Sequence, residues 1–285
     1  MKISHEVPFA LLEKSRSFND YDYALVHLFE EHKQYYDFFA ESLKLGRTVI
    51  LDNSVFELDS AFDPDRFAYW INKLQPTEYI IPDVLDDAQK TIDNIHSWNA
   101  TYNVPGKKIG VVQGSTEVEA LECYKAISPL VDKIAISFNC KFYETLFDIC
   151  YDEHGQAIVM DQDLYGKELT ILSQFGTKAK HRLNEWQRQR VIFLNNIKKL
   201  GVDKPVHLLG CSLPQEFENY RNGFEFIESV DTSNPIVHAM NGIQYEDWGL
   251  LDKVSTKLIE YLDHTEFDEE ILNYNINKFK QFCNG

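Results

Sequence analysis

Short apolar runs alternate with amphipathic stretches along most of this chain, and no other sequence feature constrains its fold as strongly. Most runs are apolar on successive residues, which is typical of a strand buried on both faces of a sheet. Such strands alternating with helical patterns predict a parallel sheet. The seven runs are residues 23–28, 48–51, 79–81, 108–112, 133–138, 206–209 and 224–230.

The helical patterns between these runs indicate the same fold class. Seven or eight strand–helix units in 285 residues predict one domain, 1–285, folded as an α/β (β/α)8 TIM barrel. An open doubly wound sheet also fits, although no glycine-rich phosphate loop follows the first run. We expect the eighth strand near residues 236–240 or in the N-terminal segment. The helical patterns are residues 31–45, 64–74, 86–101, 117–128, 183–200 and 214–222.

One segment interrupts the alternation after the fifth predicted strand. Residues 140–182 are too many for a connecting loop, and we interpret them as an insertion on the catalytic face of the barrel. Within them, YDEHGQAIVMD (151–161) predicts a hairpin that turns at His154-Gly155. The tail, residues 248–282, predicts one or two C-terminal helices.

Composition limits the class of protein. Hydrophobic residues make up 44% of the chain, which is enough for a sizeable core. The sequence shows neither a signal peptide nor a membrane-spanning apolar stretch, so we expect a cytoplasmic protein. Its five cysteines are scattered without a CxxC pair, which argues against a disulfide framework or a structural zinc site. The net charge of −17 counts against broad nonspecific binding of nucleic acid.

Three predicted strands end in an aspartate: Asp52, Asp83 and Asp231. Catalytic groups of parallel barrels lie where strands end, so these carboxylates are expected around one mouth. They predict a covalent or charge-stabilising mechanism, or a Mg²⁺ or Mn²⁺ site. An aspartate after a strand is also a common helix cap, but Asp86 and Asp87 are better candidates for capping.

Taken in order, six segments resemble motifs of the tRNA-guanine transglycosylase superfamily. The similarity covers roughly residues 48–242 and is greatest to the short phage-type DNA-guanine transglycosylases (the DpdA group). The family's zinc motif and C-terminal RNA-binding module are missing, and Ser54-Val55 and Ser137-Phe138 replace glycine pairs. The segments are LDNSVFEL (51–58), PDV (82–84), VVQGS (111–115), AISFN (135–139), VHLLGCSLPQEF (206–217) and ESVDTSNPIVHAMNG (228–242).

The resemblance implies a base exchange with two catalytic aspartates. Asp231 would be the nucleophile that attacks C1′ of the nucleoside and forms a covalent aspartyl–sugar intermediate. Asp52 would be the general acid/base, with a pKa near the working pH. A 7-deazaguanine, such as 7-cyano-7-deazaguanine, would replace guanine without an organic cofactor or a catalytic metal. Asp231 could instead cap a loop with Ser233.

The resemblance also implies a set of base contacts. Asp83 would accept hydrogen bonds from the ring N–H and exocyclic amine of the base, and Gln113 would donate to its carbonyl oxygen. Phe56 and Leu209 would sandwich the base, unless they serve core packing alone. Gln113 could also be a structural amide. Further base-binding positions are Ser137 and Gly210.

A basic run beside the insertion favours DNA as the partner. It would contact phosphates, and a duplex substrate would have to flip its target nucleotide into the pocket. tRNA, a free deoxynucleotide and a homodimer remain open, and the run could be a solvated face. The rival functions are a metal-dependent barrel hydrolase with the three aspartates as ligands and a non-catalytic partner subunit. The run comprises Lys178, Lys180, Arg182, Arg188 and Arg190.

Overall fold

The fold is known from a computed structural model, which describes residues 1–145, 148–151, 157–160, 185–254 and 258–285. Eight parallel strands form one sheet in the order β1-β10-β9-β6-β5-β4-β3-β2. Two further strands, β7 (Asp148–Tyr151) and β8 (Ala157–Met160), pair antiparallel as a hairpin. The eight are β1 (Lys2–His5), β2 (Asp22–Leu25), β3 (Val49–Asp52), β4 (Glu78–Ile80), β5 (Lys107–Val111), β6 (Lys133–Ser137), β9 (Val206–Leu209) and β10 (Ile227–Thr232).

The sheet curls into a nearly closed barrel, and the seam between β1 and β2 is joined by residues of the connecting loop. The Asp20 backbone N–H donates to the Ile3 carbonyl at 2.9 Å, and the Ile3 N–H donates to Asp20 Oδ2 at 2.8 Å. The amide side chain of Asn19 both accepts from the His5 N–H and donates to the His5 carbonyl. Asn19 therefore pairs with His5 as a strand residue would.

Helices follow most strands and pack their apolar sides on the barrel. Their starts follow local capping rules: Asp63, Asp87 and Thr116 each accept a hydrogen bond from a backbone N–H of the first turn. The helices are α1 (Leu12–Ser15), α2 (Leu28–Glu31), α3 (Lys33–Lys44), α4 (Val55–Leu58), α5 (Pro64–Leu74), α6 (Ala88–Thr101), α7 (Glu117–Ile127), α8 (Glu185–Leu200), α9 (Asn234–Met240) and α10 (Glu269–Asn284).

The predicted α/β barrel with C-terminal helices is confirmed, with two corrections. Of the two positions expected for the eighth strand, the N-terminal segment is the one that forms it, as β1, and residues 236–240 lie in α9. The insertion therefore follows the sixth strand, not the fifth. Residues 214–222 do not form an α-helix; Pro214–Tyr220 is a 3₁₀ helix. The predicted hairpin forms between β7 and β8, while its turn at His154-Gly155 lies outside the described residues.

Candidate functional site

The carboxyl ends of the strands meet around a cavity of about 470 Å³. The residues predicted to act there come from the ends of β3, β4, β5, β6, β9 and β10 and from helix α4. Because the strands are parallel, all their ends reach the same mouth. Every predicted catalytic and base-contact residue lines the cavity: Asp52, Phe56, Asp83, Gln113, Ser137, Leu209, Gly210 and Asp231.

Asp231 is a buried carboxylate held between two strands. The Gly210 backbone N–H donates to its Oδ2 at 3.3 Å, and His207 Nε2 lies 2.9 Å from its Oδ1. The other ring nitrogen of His207 lies 2.9 Å from the Ser229 hydroxyl, so the imidazole is held at both ends. These contacts fix the orientation of the Asp231 side chain. His207 lies inside an apolar predicted strand, and a polar residue there is the signal that could have identified it.

Asp52 ends β3 in a different environment. The Tyr23 hydroxyl donates to its Oδ2, and the Ser54 backbone N–H donates to its Oδ1. Ser54 adopts a φ of 62°, a left-handed conformation that turns its N–H back towards the carboxylate. Burial raises the pKa of Asp52 to about 7, assisted by Asp231 and Asp83 and opposed by the two hydrogen bonds. Asp52 can therefore exchange a proton near neutral pH.

Asp83 follows β4, the strand next to β3, and is held by two amides. Asn53 Nδ2 donates to its Oδ1 at 2.8 Å, and Gln113 Nε2 donates to its Oδ2 at 2.6 Å. Burial raises its pKa, and both amide hydrogen bonds oppose this effect. Gln113 Oε1 in turn accepts from the Asp86 N–H at 3.0 Å. Gln113 therefore orients Asp83, and its contact with a base carbonyl stays a prediction.

Glu6 is a site residue that the sequence reading missed. It follows β1, and its backbone N–H donates to the Thr232 carbonyl, beside Asp231. Burial raises the pKa of Glu6 well above its usual range, and the neighbouring carboxyl groups, Asp231 first, raise it further. Placing the eighth strand at the N-terminus would have identified Glu6 as its strand-end residue.

One wall of the cavity is aromatic. The rings of Phe56 and Phe138 lie 5.9 Å apart at 62°. Phe138 packs on Gly210, where a Cβ atom would lie 2.4 Å from the ring and where φ is +67°. Lys253 Nζ lies 4.0 Å from the centroid of Phe138. We call the Phe56 and Phe138 rings, together with the Lys253 side chain that lies over Phe138, the aromatic wall.

Arg190, the last residue of the predicted phosphate-binding run, does not lie on the surface. Arg190 is fully buried: Nε donates to Glu216 Oε1 at 2.6 Å, and Nη1 donates to the carbonyls of Leu209 and Gly210 at 3.1 Å each. The prediction that Arg190 contacts phosphate is therefore wrong, because its guanidinium is buried and paired with Glu216. Lys178, Lys180 and Arg182 lie outside the described residues, as does the side chain of Arg188.

Within residues 1–145, 148–151, 157–160, 185–254 and 258–285, no group of three His, Cys, Asp or Glu side chains could hold a metal ion. No helix among the same residues has the length and apolarity needed to cross a membrane. Among known proteins, no family model and no curated protein matches this sequence.

Proposed function

We propose that this protein is a guanine transglycosylase that replaces guanine in DNA with a 7-deazaguanine, such as 7-cyano-7-deazaguanine. The observation that carries the proposal is the pairing of two carboxyl groups in one cavity. Asp231 accepts hydrogen bonds from His207 and Gly210, whereas burial holds the pKa of Asp52 at about 7. Carboxyl groups with such divergent surroundings are typical of a nucleophile and a general acid/base.

The exchange divides into two displacements at the sugar. An oxygen of Asp231 attacks C1′, the C1′–N9 bond breaks, and the bonding electrons leave with guanine as protonated Asp52 donates its proton. The incoming 7-deazaguanine then loses its N9 proton to Asp52. Its N9 attacks C1′ and displaces Asp231, which restores both carboxyl groups. The second nucleophile is a base in place of the water of a retaining glycosidase.

The rest of the cavity supports a purine ligand. Its volume falls in the range of small-molecule sites. Asn53 and Gln113 hold the Asp83 carboxylate, which suits a guanine-like edge because the ring N–H and the amine both donate. Phe56 and Leu209 line the cavity at positions from which they could flank a flat ring. DNA is the substrate favoured by the resemblance to the short phage-type enzymes.

The test is incorporation of a labelled base. The protein is incubated with guanine-containing DNA, tRNA or dGMP, together with labelled guanine or labelled 7-cyano-7-deazaguanine. We expect label in DNA alone. Label in tRNA or dGMP would identify that substrate instead, and no incorporation anywhere would reject base exchange. A parallel arm with EDTA addresses the metal-dependent hydrolase, whose activity a chelator would remove.

Asp231→Asn provides the matching variant. We expect incorporation to fall below detection, because an amide cannot form the ester with C1′, while the melting temperature stays close to that of the parent. Asp93→Asn, an exposed change on α6, is the control and should keep full activity. Mass spectrometry of parent protein quenched during turnover should show a covalent sugar adduct that Asp231→Asn lacks. Full activity in Asp231→Asn would discard the assigned nucleophile.

A further inference from the structure

Most of the charged side chains that line the cavity are acidic. Among the described residues, seven carboxyl side chains and two lysines, Lys141 and Lys253, line it. An anionic substrate would meet repulsion from the carboxyl groups that are ionised, unless one of the lysines compensated locally. The two lysines are therefore the groups on which binding of an anion in this cavity depends.

Lys253 is the more confined of the two. It is half-buried, whereas Lys141 is exposed. Burial lowers the pKa of Lys253, an effect that Glu6 and Glu57 oppose. Its ammonium lies over the Phe138 ring, and within the described part of the chain it forms no salt bridge. A ring attracts the charge but leaves ammonium N–H donors available for an oxygen ligand.

The position of Lys253 suits a nucleotide. Across the aromatic wall, its Nζ lies at most about 10 Å from the ring centroid of Phe56. Phe56 is the residue proposed to flank the base, so a phosphate of the same nucleotide would be within reach of the ammonium. A compact ammonium binds a phosphate as a point charge.

We propose that Lys253 binds the phosphate of the nucleotide whose base occupies the cavity. The substrate is accordingly a nucleoside phosphate, either free or within a nucleic-acid strand, and a bare nucleoside is a poor ligand. This inference rests on the proposed function only for the position of the base. It replaces Arg190, which is buried, as the phosphate contact nearest the site.

Calorimetric binding without any incoming base tests this proposal separately from exchange. The ligands are deoxyguanosine, dGMP and a single-stranded trinucleotide centred on guanine. We expect the parent protein to bind dGMP about tenfold more tightly than deoxyguanosine, as one charge-assisted hydrogen bond allows. Lys253→Gln should lose most of this preference through weaker binding of dGMP, and Lys253→Arg should keep most of it.

Lys125→Gln is the matched control, because it removes the same charge from an exposed position on α7 outside the cavity. It should behave as the parent, and melting curves should confirm that all variants fold. A loss confined to dGMP assigns a free nucleotide, and a loss that extends to the trinucleotide assigns a strand phosphate. A preference that survives in Lys253→Gln, or is missing from the parent, overturns the proposal. If this pattern is found but labelled base is never incorporated, the phosphate site stands and base exchange fails.

Discussion

At the scale of single residues, Asp52 and Asp231 show how surroundings separate two identical side chains. Asp231 is held by a backbone N–H and an imidazole, whereas burial raises the pKa of Asp52 and its hydrogen bonds from Tyr23 and Ser54 oppose that rise. Neither difference is visible in the sequence, where both residues simply end apolar strands. Two measurements address these environments.

The raised pKa of Asp52 predicts a pH-dependent stability. Folding moves this pKa from its ordinary 3.8 to about 7, so ionised Asp52 destabilises the folded state. The contribution of Asp52 to the stability of the folded state is highest below pH 3.8, where Asp52 is protonated in both states, and it falls as the pH rises from 3.8 through about 7. The difference in the free energy of unfolding between Asp52→Asn and the parent should therefore grow by about 3 kcal/mol in favour of the variant from pH 5 to pH 8. Urea unfolding at several pH values measures this, and a pH-independent difference would show that the pKa is not raised.

His207 is a positioning residue for Asp231. Replacing it by glutamine keeps one donor but loses the contact with Ser229, so the carboxylate should be less well oriented. We expect kcat for base exchange to fall about tenfold to a hundredfold with little change in KM. Ser229→Ala, which removes only the outer contact, should lose less. Equal losses in kcat and affinity would indicate that His207 instead contacts the substrate.

At the scale of elements, a buried ion pair joins helix α8 to the end of β9. Arg190 comes from α8 and Glu216 from the 3₁₀ helix after β9, and both are fully buried. The guanidinium also holds the Leu209 and Gly210 carbonyls, which orients the Gly210 N–H towards Asp231. Arg190, which does not itself line the cavity, thereby helps to position the proposed nucleophile.

Breaking this pair should be costly. Arg190→Met leaves Glu216 buried without its partner, and we expect a loss of about 3–5 kcal/mol in the free energy of unfolding. The double variant Arg190→Met/Glu216→Leu removes both charges and should recover much of that loss. Chemical denaturation of these two variants and of the single variant Glu216→Leu forms a double-mutant cycle. Additive losses would show that the two charges do not interact.

At the scale of the whole molecule, barrel closure depends on side chains as well as strands. β1 and β2 end the eight-stranded order, and Asn19 completes the hydrogen bonds of His5 at 2.7 and 2.9 Å. Since Glu6 follows His5, the same contact holds Glu6 at the cavity. Closure of the fold and assembly of the site are thus coupled through one amide.

Asn19→Ala tests this coupling. Both polar groups of the buried His5 backbone lose their partner, so the free energy of unfolding should fall by about 2–4 kcal/mol. Asp20→Asn is the control, because its amide oxygen can still accept from the Ile3 N–H. Hydrogen exchange should show faster opening of β1 in Asn19→Ala. Unchanged protection of β1 would mean that the seam is held elsewhere.

The sequence alone predicted a parallel α/β fold and its acidic mouth, but it left an open sheet as an alternative to the barrel. Most of the seven predicted strands are continuous apolar runs, a pattern that requires no knowledge of partners, and parallel strands bring Asp52, Asp83 and Asp231 to one end. The N-terminal segment was only one of two candidates for the eighth strand, because Ile3 is the only apolar side chain of β1. It becomes a strand only through pairing with β10.

Only the tertiary structure decided which polar groups meet. Arg190 lies in a basic run, so local composition indicated a charge on the surface. The residue is buried instead, and its guanidinium donates to Glu216 and to two backbone carbonyls. Glu6 and Lys253 reach the cavity from opposite ends of the chain. Strand and helix periodicity depends on neighbours within a few residues, whereas burial of a charge depends on a partner that may be anywhere along the sequence.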